Sequence, residues 1–125
     1  MDYERFNELV SKAIDALPAE FLDMLENVDV VVEDNPTPEQ MGKAKSGEEV
    51  GLLLGLYEGV PQTRRTTGYS MVLPDKITMF QKPIEVICRN DEEVYLQVQK
   101  TLKHEIAHHF GISDERLEEF EEKKS

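Results

Sequence analysis

The stretch His104–Asp114, HEIAHHFGISD, contains all three histidines of this 125-residue chain. On a helix, His104 and His108 project from one face because they are four residues apart. Two imidazoles in this arrangement can share one tetrahedral metal ion at about 2.0–2.1 Å. Glu105 is rotated by about 100° from His104, which places its carboxylate beside a metal-held water rather than on the metal. The spacing therefore predicts a metal-binding helix with an adjacent carboxylate.

The residues after the second histidine extend this pattern. Gly111 can end the helix in a left-handed conformation, after which the chain can turn back and offer Asp114 as a third ligand. Capping of a following helix is the alternative role for Asp114. His109 is rotated by about 100° from its neighbour, which favours a position behind the ligands or on the surface. We predict one zinc ion per chain, bound by His104, His108 and Asp114.

The pattern of apolar residues predicts where this helix begins and which side is buried. Asn90 followed by Glu93 resembles a capping box, so the helix is expected to start near Asp91. The apolar side recurs at three- and four-residue steps and comprises Tyr95, Val98, Leu102 and Ile106. The polar side, roughly opposite, comprises Gln97, Thr101, His104 and His108. A buried structural histidine would share the apolar side, so the pattern favours a metal site.

The remaining chain predicts an α+β domain. Strands are expected over residues 28–32, 52–57, 69–73 and 77–80. Pro74-Asp75-Lys76 is expected to join the last two as a hairpin turn. Other helices are expected over residues 3–16, after Pro18, and from about Asp114 to Glu122. Residues 34–49 are expected to be loop-like or weakly helical, and residues 82–90 fit either a strand or a helical turn.

Composition restricts the class of protein. One domain over residues 1–125 is expected, since this length suffices for a single core. The formal net charge of −12 repels phosphate backbones and anionic membranes, which argues against nucleic-acid and membrane partners. Cys88 is the only cysteine, and no run reaches the roughly 18 apolar residues of a membrane span. A reducing cytoplasm is the expected compartment.

Three segments resemble a known family, the small zincin-like proteins described as possible zinc metallopeptidases. These segments are His104–Leu117, Arg64–Gly68 (RRTTG) and Leu73–Ile77 (LPDKI), within a resemblance that covers residues 28–120. The resemblance implies a minimal zincin-like fold, in which a small mixed sheet packs against an N-terminal helix and a long active-site helix.

By this resemblance, His104, His108 and Asp114 bind zinc and Glu105 is the general base. Zinc with three protein ligands keeps a position for water, whose pKa falls to about 7. Glu105 would accept the proton as this water attacks a peptide carbonyl, and would then pass it to the leaving amine. The expected function is a zinc metallopeptidase that acts on a peptide or protein.

Candidates for substrate binding precede the helix, because only 11 residues follow Asp114. Arg64 or Arg65 can bind a substrate carboxylate or the oxyanion, with surface ion pairing as the alternative. Tyr69 can donate to the oxyanion, with a buried strand position as its alternative. An edge strand within Tyr69–Phe80 can pair with an extended peptide.

Two other functions stay open. The ligand spacing also resembles small metal-dependent ribosomal RNA endonucleases, but these use histidine where Asp114 stands, and this chain is acidic. The other is a non-catalytic zinc-binding or peptide-binding module. Structural zinc sites are usually closed by four ligands and favour cysteine, which argues against a purely structural ion.

Overall fold

The computed structural model describes residues 1–44, 52–59 and 74–112, which form five helices and a three-stranded mixed sheet. In chain order the elements are α1 (Tyr3–Asp15), α2 (Ala19–Met24), β1 (Val28–Glu33), α3 (Pro38–Lys43), β2 (Gly55–Glu58), β3 (Asp75–Phe80), α4 (Gln81–Ile87) and α5 (Asp91–Phe110). The predicted α+β class is confirmed. The strand expected over 69–73 and the helix expected from Asp114 to Glu122 lie outside the described residues. No helix in the described ranges is long and apolar enough to cross a membrane.

The sheet has the strand order β1-β3-β2, with β3 parallel to β1 and antiparallel to β2. The predicted turn at Pro74-Asp75-Lys76 is wrong, because Asp75 and Lys76 are the first residues of β3 and pair with Val28 and Asp29. The hypothesis of a peptide-binding edge strand within Tyr69–Phe80 is wrong for β3, which has a strand on either side. Main-chain pairing with a distant strand overrides the local turn preference of Pro74 and Asp75.

The core lies between the sheet and the two longest helices, α1 and α5. Its buried members include Phe6, Leu9, Val10 and Ala13 of α1, Ile77 and Met79 of β3, and Val98, Leu102 and Ile106 of α5. The predicted apolar side of α5 is confirmed, with Tyr95 half-buried at its edge. Full burial of one such aliphatic side chain contributes about 1.5–3 kcal/mol, so this side holds α5 firmly on the sheet.

Both ends of α5 follow from local sequence. The Asn90 side chain accepts a hydrogen bond from the Glu93 N–H at 2.9 Å, while the Glu93 carboxylate accepts from the Arg89 N–H at 2.8 Å. At the other end Gly111 has φ 70° and ψ 31°, which is the expected left-handed conformation. The Ile112 N–H then bonds the Ala107 carbonyl at 2.8 Å. These two ends fix which residues occupy the last turns of α5.

Helix α3 forms within the polar stretch that was expected to be a loop or a weak helix. Thr37 and Gln40 make a capping box, in which each side chain accepts from the other's main-chain N–H. Pro38 at the first helical position reinforces this start. The capping box therefore stabilises one short helix here, whose last residue is Lys43.

Candidate metal and catalytic site

The last turns of α5 carry His104 and His108 on the solvent-exposed side of the helix. Their rings are parallel within 1°, with centroids 6.4 Å apart. Imidazoles on one tetrahedral zinc have centroids about 5 Å apart, from a Zn–N length of about 2.1 Å. Small rotations of two exposed side chains close this difference, so the pair fits a shared ion.

The predicted third ligand, Asp114, lies outside the described residues. Within residues 1–44, 52–59 and 74–112, no three histidine, cysteine or acidic side chains are close enough to hold a metal ion. The described part of the chain thus supplies two of the three predicted ligands.

Glu105 points away from the exposed face and is buried, with 4% of its surface accessible. Its Oε1 accepts a hydrogen bond from the main-chain N–H of Tyr57, on β2, at 3.0 Å. A buried carboxylate is costly unless it is hydrogen-bonded, and a charge-assisted bond of this kind is among the stronger ones. The strand therefore fixes one oxygen of the residue predicted as general base.

Tyr57 contacts α5 a second time through its ring, which stacks on the imidazole of His109 with centroids 3.8 Å apart and planes 12° apart. The Phe110 ring meets Tyr57 edge-on at 6.4 Å. The hydroxyl at the end of the Tyr57 ring donates a hydrogen bond to the Asp75 carboxylate, on β3, at 2.8 Å. His109 is thus an exposed residue beside the predicted ligands, held by an aromatic contact.

Helix α5 and strand β2 approach each other closely at Gly55. A Cβ built on Gly55 would lie 2.8 Å from Cγ2 of Thr101 and 3.3 Å from the Thr78 carbonyl oxygen. Only a residue without a side chain leaves room for Thr101 there. Thr101, which was predicted on the polar side with His104 and His108, is buried against β2, whereas the two histidines are exposed.

A cavity of about 130 Å³ opens beside these residues. It is lined by Lys43, Ala44, Leu56, Tyr57, Glu105, His108 and His109. An apolar cavity of about 150 Å³ holds benzene, so this space suffices for one side chain of moderate size. The predicted base and one predicted ligand therefore border the same small space.

An ion-pair cluster holds α3 at the edge of this cavity. The Lys43 ammonium lies 2.6 Å from Glu58 Oε2, and Gln40 donates to Glu58 Oε1 at 3.4 Å. Burial alone would raise the pKa of Glu58, but the bonds from Lys43 and Gln40 outweigh it and leave this pKa below its ordinary value. Glu58 thus ties the end of α3 to β2.

Sequence reasoning did not find Tyr57, Gly55 or Lys43 as neighbours of the site. Tyr57 and Lys43 carry no local signal, since tyrosine in a strand and lysine in a polar loop are common. Gly55 does carry one, because glycine is uncommon in strands and an isolated strand glycine often marks a close approach of another segment. Arg64, Arg65 and Tyr69 lie outside the described residues, so their predicted substrate roles stay predictions.

Comparisons with known proteins identify the family and the fold of this chain. A family model described as zincin-like metallopeptidase matches residues 25–124. A solved structure of a conserved hypothetical protein from Thermus thermophilus is similar, with a TM-score of 0.53 and 24% sequence identity. This match covers 88% of this chain and 94% of that chain, and it shows a shared fold. No curated protein matches the sequence.

Proposed function

We propose a zinc-dependent peptidase function for this chain, which belongs to the zincin-like metallopeptidase family. One observation carries the proposal: the buried, strand-bonded carboxylate of Glu105 and the exposed imidazole of His108 border the same cavity. In this proposal His104, His108 and Asp114 hold the zinc ion, and Glu105 is the general base.

The zinc ion, when bound, supplies a Lewis acid that brings the pKa of a water near neutrality and polarises a carbonyl. The chain's own residues supply the rest. Glu105 takes a proton from the attacking water and passes it to the leaving amine, a role that typically contributes about 10²–10⁴-fold. The Tyr57 N–H holds one oxygen of this carboxylate, so its orientation is set before substrate arrives.

Zinc content tests the ligand assignment. We expect one zinc per purified chain, loss of zinc in His104→Ala and His108→Ala, and weakened binding in Asp114→Ala. The matched control is His109→Ala, which removes an adjacent histidine and should keep its zinc. Absence of zinc in the parent after reconstitution would overturn the metal site.

Hydrolysis of a quenched-fluorescent peptide library tests the chemistry. The zinc-loaded parent should cleave, and Glu105→Gln should keep its zinc but lose about 10²–10⁴-fold in kcat. A zinc-loaded parent that cleaves no peptide would identify a binding module instead. Cleavage of ribosomal RNA that disappears in His104→Ala would support the nuclease alternative.

A further inference from the structure

Helix α5 contacts β2 through one row of side chains that the proposed mechanism uses only in part. Thr101, Glu105 and His109 are spaced by four residues and therefore share one side of the helix. Thr101 lies against Gly55, while the other two contact Tyr57. Tyr57 of β2 thus contacts both Glu105, the proposed base, and His109, which lies one turn further along α5.

Tyr57 is itself held by the sheet. Its main chain pairs with Ile77 in the antiparallel register of β2 and β3, and its hydroxyl donates to Asp75 at 2.8 Å. In such a pair, alternate N–H groups point away from the neighbouring strand. The Tyr57 N–H is one of these, since it donates to Glu105 on α5.

We propose that Tyr57 is a positioning residue for Glu105, an inference that rests on the proposed peptidase function. Its ring, stacked on His109, keeps the last turns of α5 at the distance at which its own N–H holds the carboxylate. His108 precedes His109 in the same turn, so the stack also limits movement of that proposed ligand. Small displacements of Glu105 or His108 matter for the proposed reaction, because a misplacement of about 1 Å can cost about 10²-fold in rate.

Steady-state kinetics of the zinc-loaded full chain test this role, with a peptide that the parent cleaves in the quenched-fluorescent library as the substrate. Tyr57→Leu removes the stack and should lower kcat by at least about tenfold, with KM changed by less than about twofold. Tyr57→Phe loses the hydroxyl bond to Asp75 but keeps the ring and its stack on His109, so it should retain kcat within about twofold. The matched control is Tyr95→Leu, which removes a half-buried tyrosine at the edge of the core and should leave kcat near that of the parent. Unchanged kcat in Tyr57→Leu, or an equal loss in Tyr95→Leu, would overturn the inference.

Amide hydrogen exchange gives a readout that does not need activity. In the parent, the amide at position 57 should be protected by its bond to Glu105. We expect at least about tenfold faster exchange at this amide in Tyr57→Leu and His109→Ala, and no change in Tyr57→Phe. Equal exchange in all four proteins would refute the positioning role.

The two measurements separate the failure of this inference from failure of the proposed function. If the parent cleaves no peptide, the peptidase proposal fails, and exchange at position 57 still decides whether the stack holds Glu105. If the parent cleaves peptides but Tyr57→Leu behaves as the parent in both measurements, only the positioning role falls.

Discussion

Replacement of Gly55 by alanine tests how tightly α5 and β2 are packed. The new Cβ would lie 2.8 Å from Cγ2 of Thr101, whereas carbon atoms pack at about 3.5–4.0 Å. A shift of about 0.7 Å is therefore needed to reach that range, either a separation of the two elements or a movement of the Thr101 side chain. If α5 makes the whole movement, the Glu105–Tyr57 hydrogen bond lengthens from 3.0 Å to as much as about 3.7 Å, beyond bonding distance.

The energetic cost follows from two opposing terms. Overpacking of a well-packed interior lowers the free energy of unfolding by about 1–3 kcal/mol. Alanine also reduces the entropy of the unfolded chain, which raises the free energy of unfolding by about 0.4–1 kcal/mol. We expect Gly55→Ala to lower the free energy of unfolding by about 1 kcal/mol. Gly42→Ala is the matched control, because a Cβ at Gly42 meets nothing within 4 Å, and it should gain about 0.5–1 kcal/mol.

Urea unfolding of both variants measures this difference. With a slope of about 1–3 kcal/mol/M, the midpoints of the two variants should differ by roughly 1 M. A second substitution, Thr101→Ser, deletes Cγ2 and should restore most of the loss in the Gly55→Ala background. Equal stability of Gly55→Ala and Gly42→Ala, or no restoration by Thr101→Ser, would refute the close contact between α5 and β2.

Three further predictions concern single features of the fold. Because the folded-state pKa of Glu58 is depressed by Lys43, its ion pair stabilises the protein above the ordinary pKa of 4.5 and is lost as pH falls through the folded value. Urea midpoints followed from neutral pH to below that value should therefore fall less in Glu58→Gln than in the parent, and parallel profiles would contradict the pair. Gly111→Ala forces a side chain into φ 70° and should cost about 1–2 kcal/mol in the same assay, whereas no loss would mean that the helix ends differently. Asn90→Ala removes the acceptor of the Glu93 N–H and should cost about 1 kcal/mol, while Asn90→Asp should cost little because it keeps a capping oxygen.

The boundaries of α5 were predictable because the signals that set them are local. Asn90 and Glu93 lie within the first turn, and Gly111 follows the last one. The same local reasoning failed at Asp75 and Lys76, which follow a proline in a turn-like sequence but begin the central strand. Their partners in β1, Val28 and Asp29, are far away in the sequence, and no residue close to Asp75 and Lys76 indicates that pairing.

The sequence alone determined the chemical inventory of the candidate site: two histidines on one helical face, an acidic neighbour and a glycine that ends the helix. These depend on the helical repeat, which joins residues only a few positions apart. The tertiary structure decided where Glu105 goes, since its burial and its bond to the Tyr57 N–H require β2 to lie against α5. It also brought Lys43 and Leu56 to the same cavity. Contacts between distant segments depend on strand pairing and close packing, for which most single residues carry no local signature.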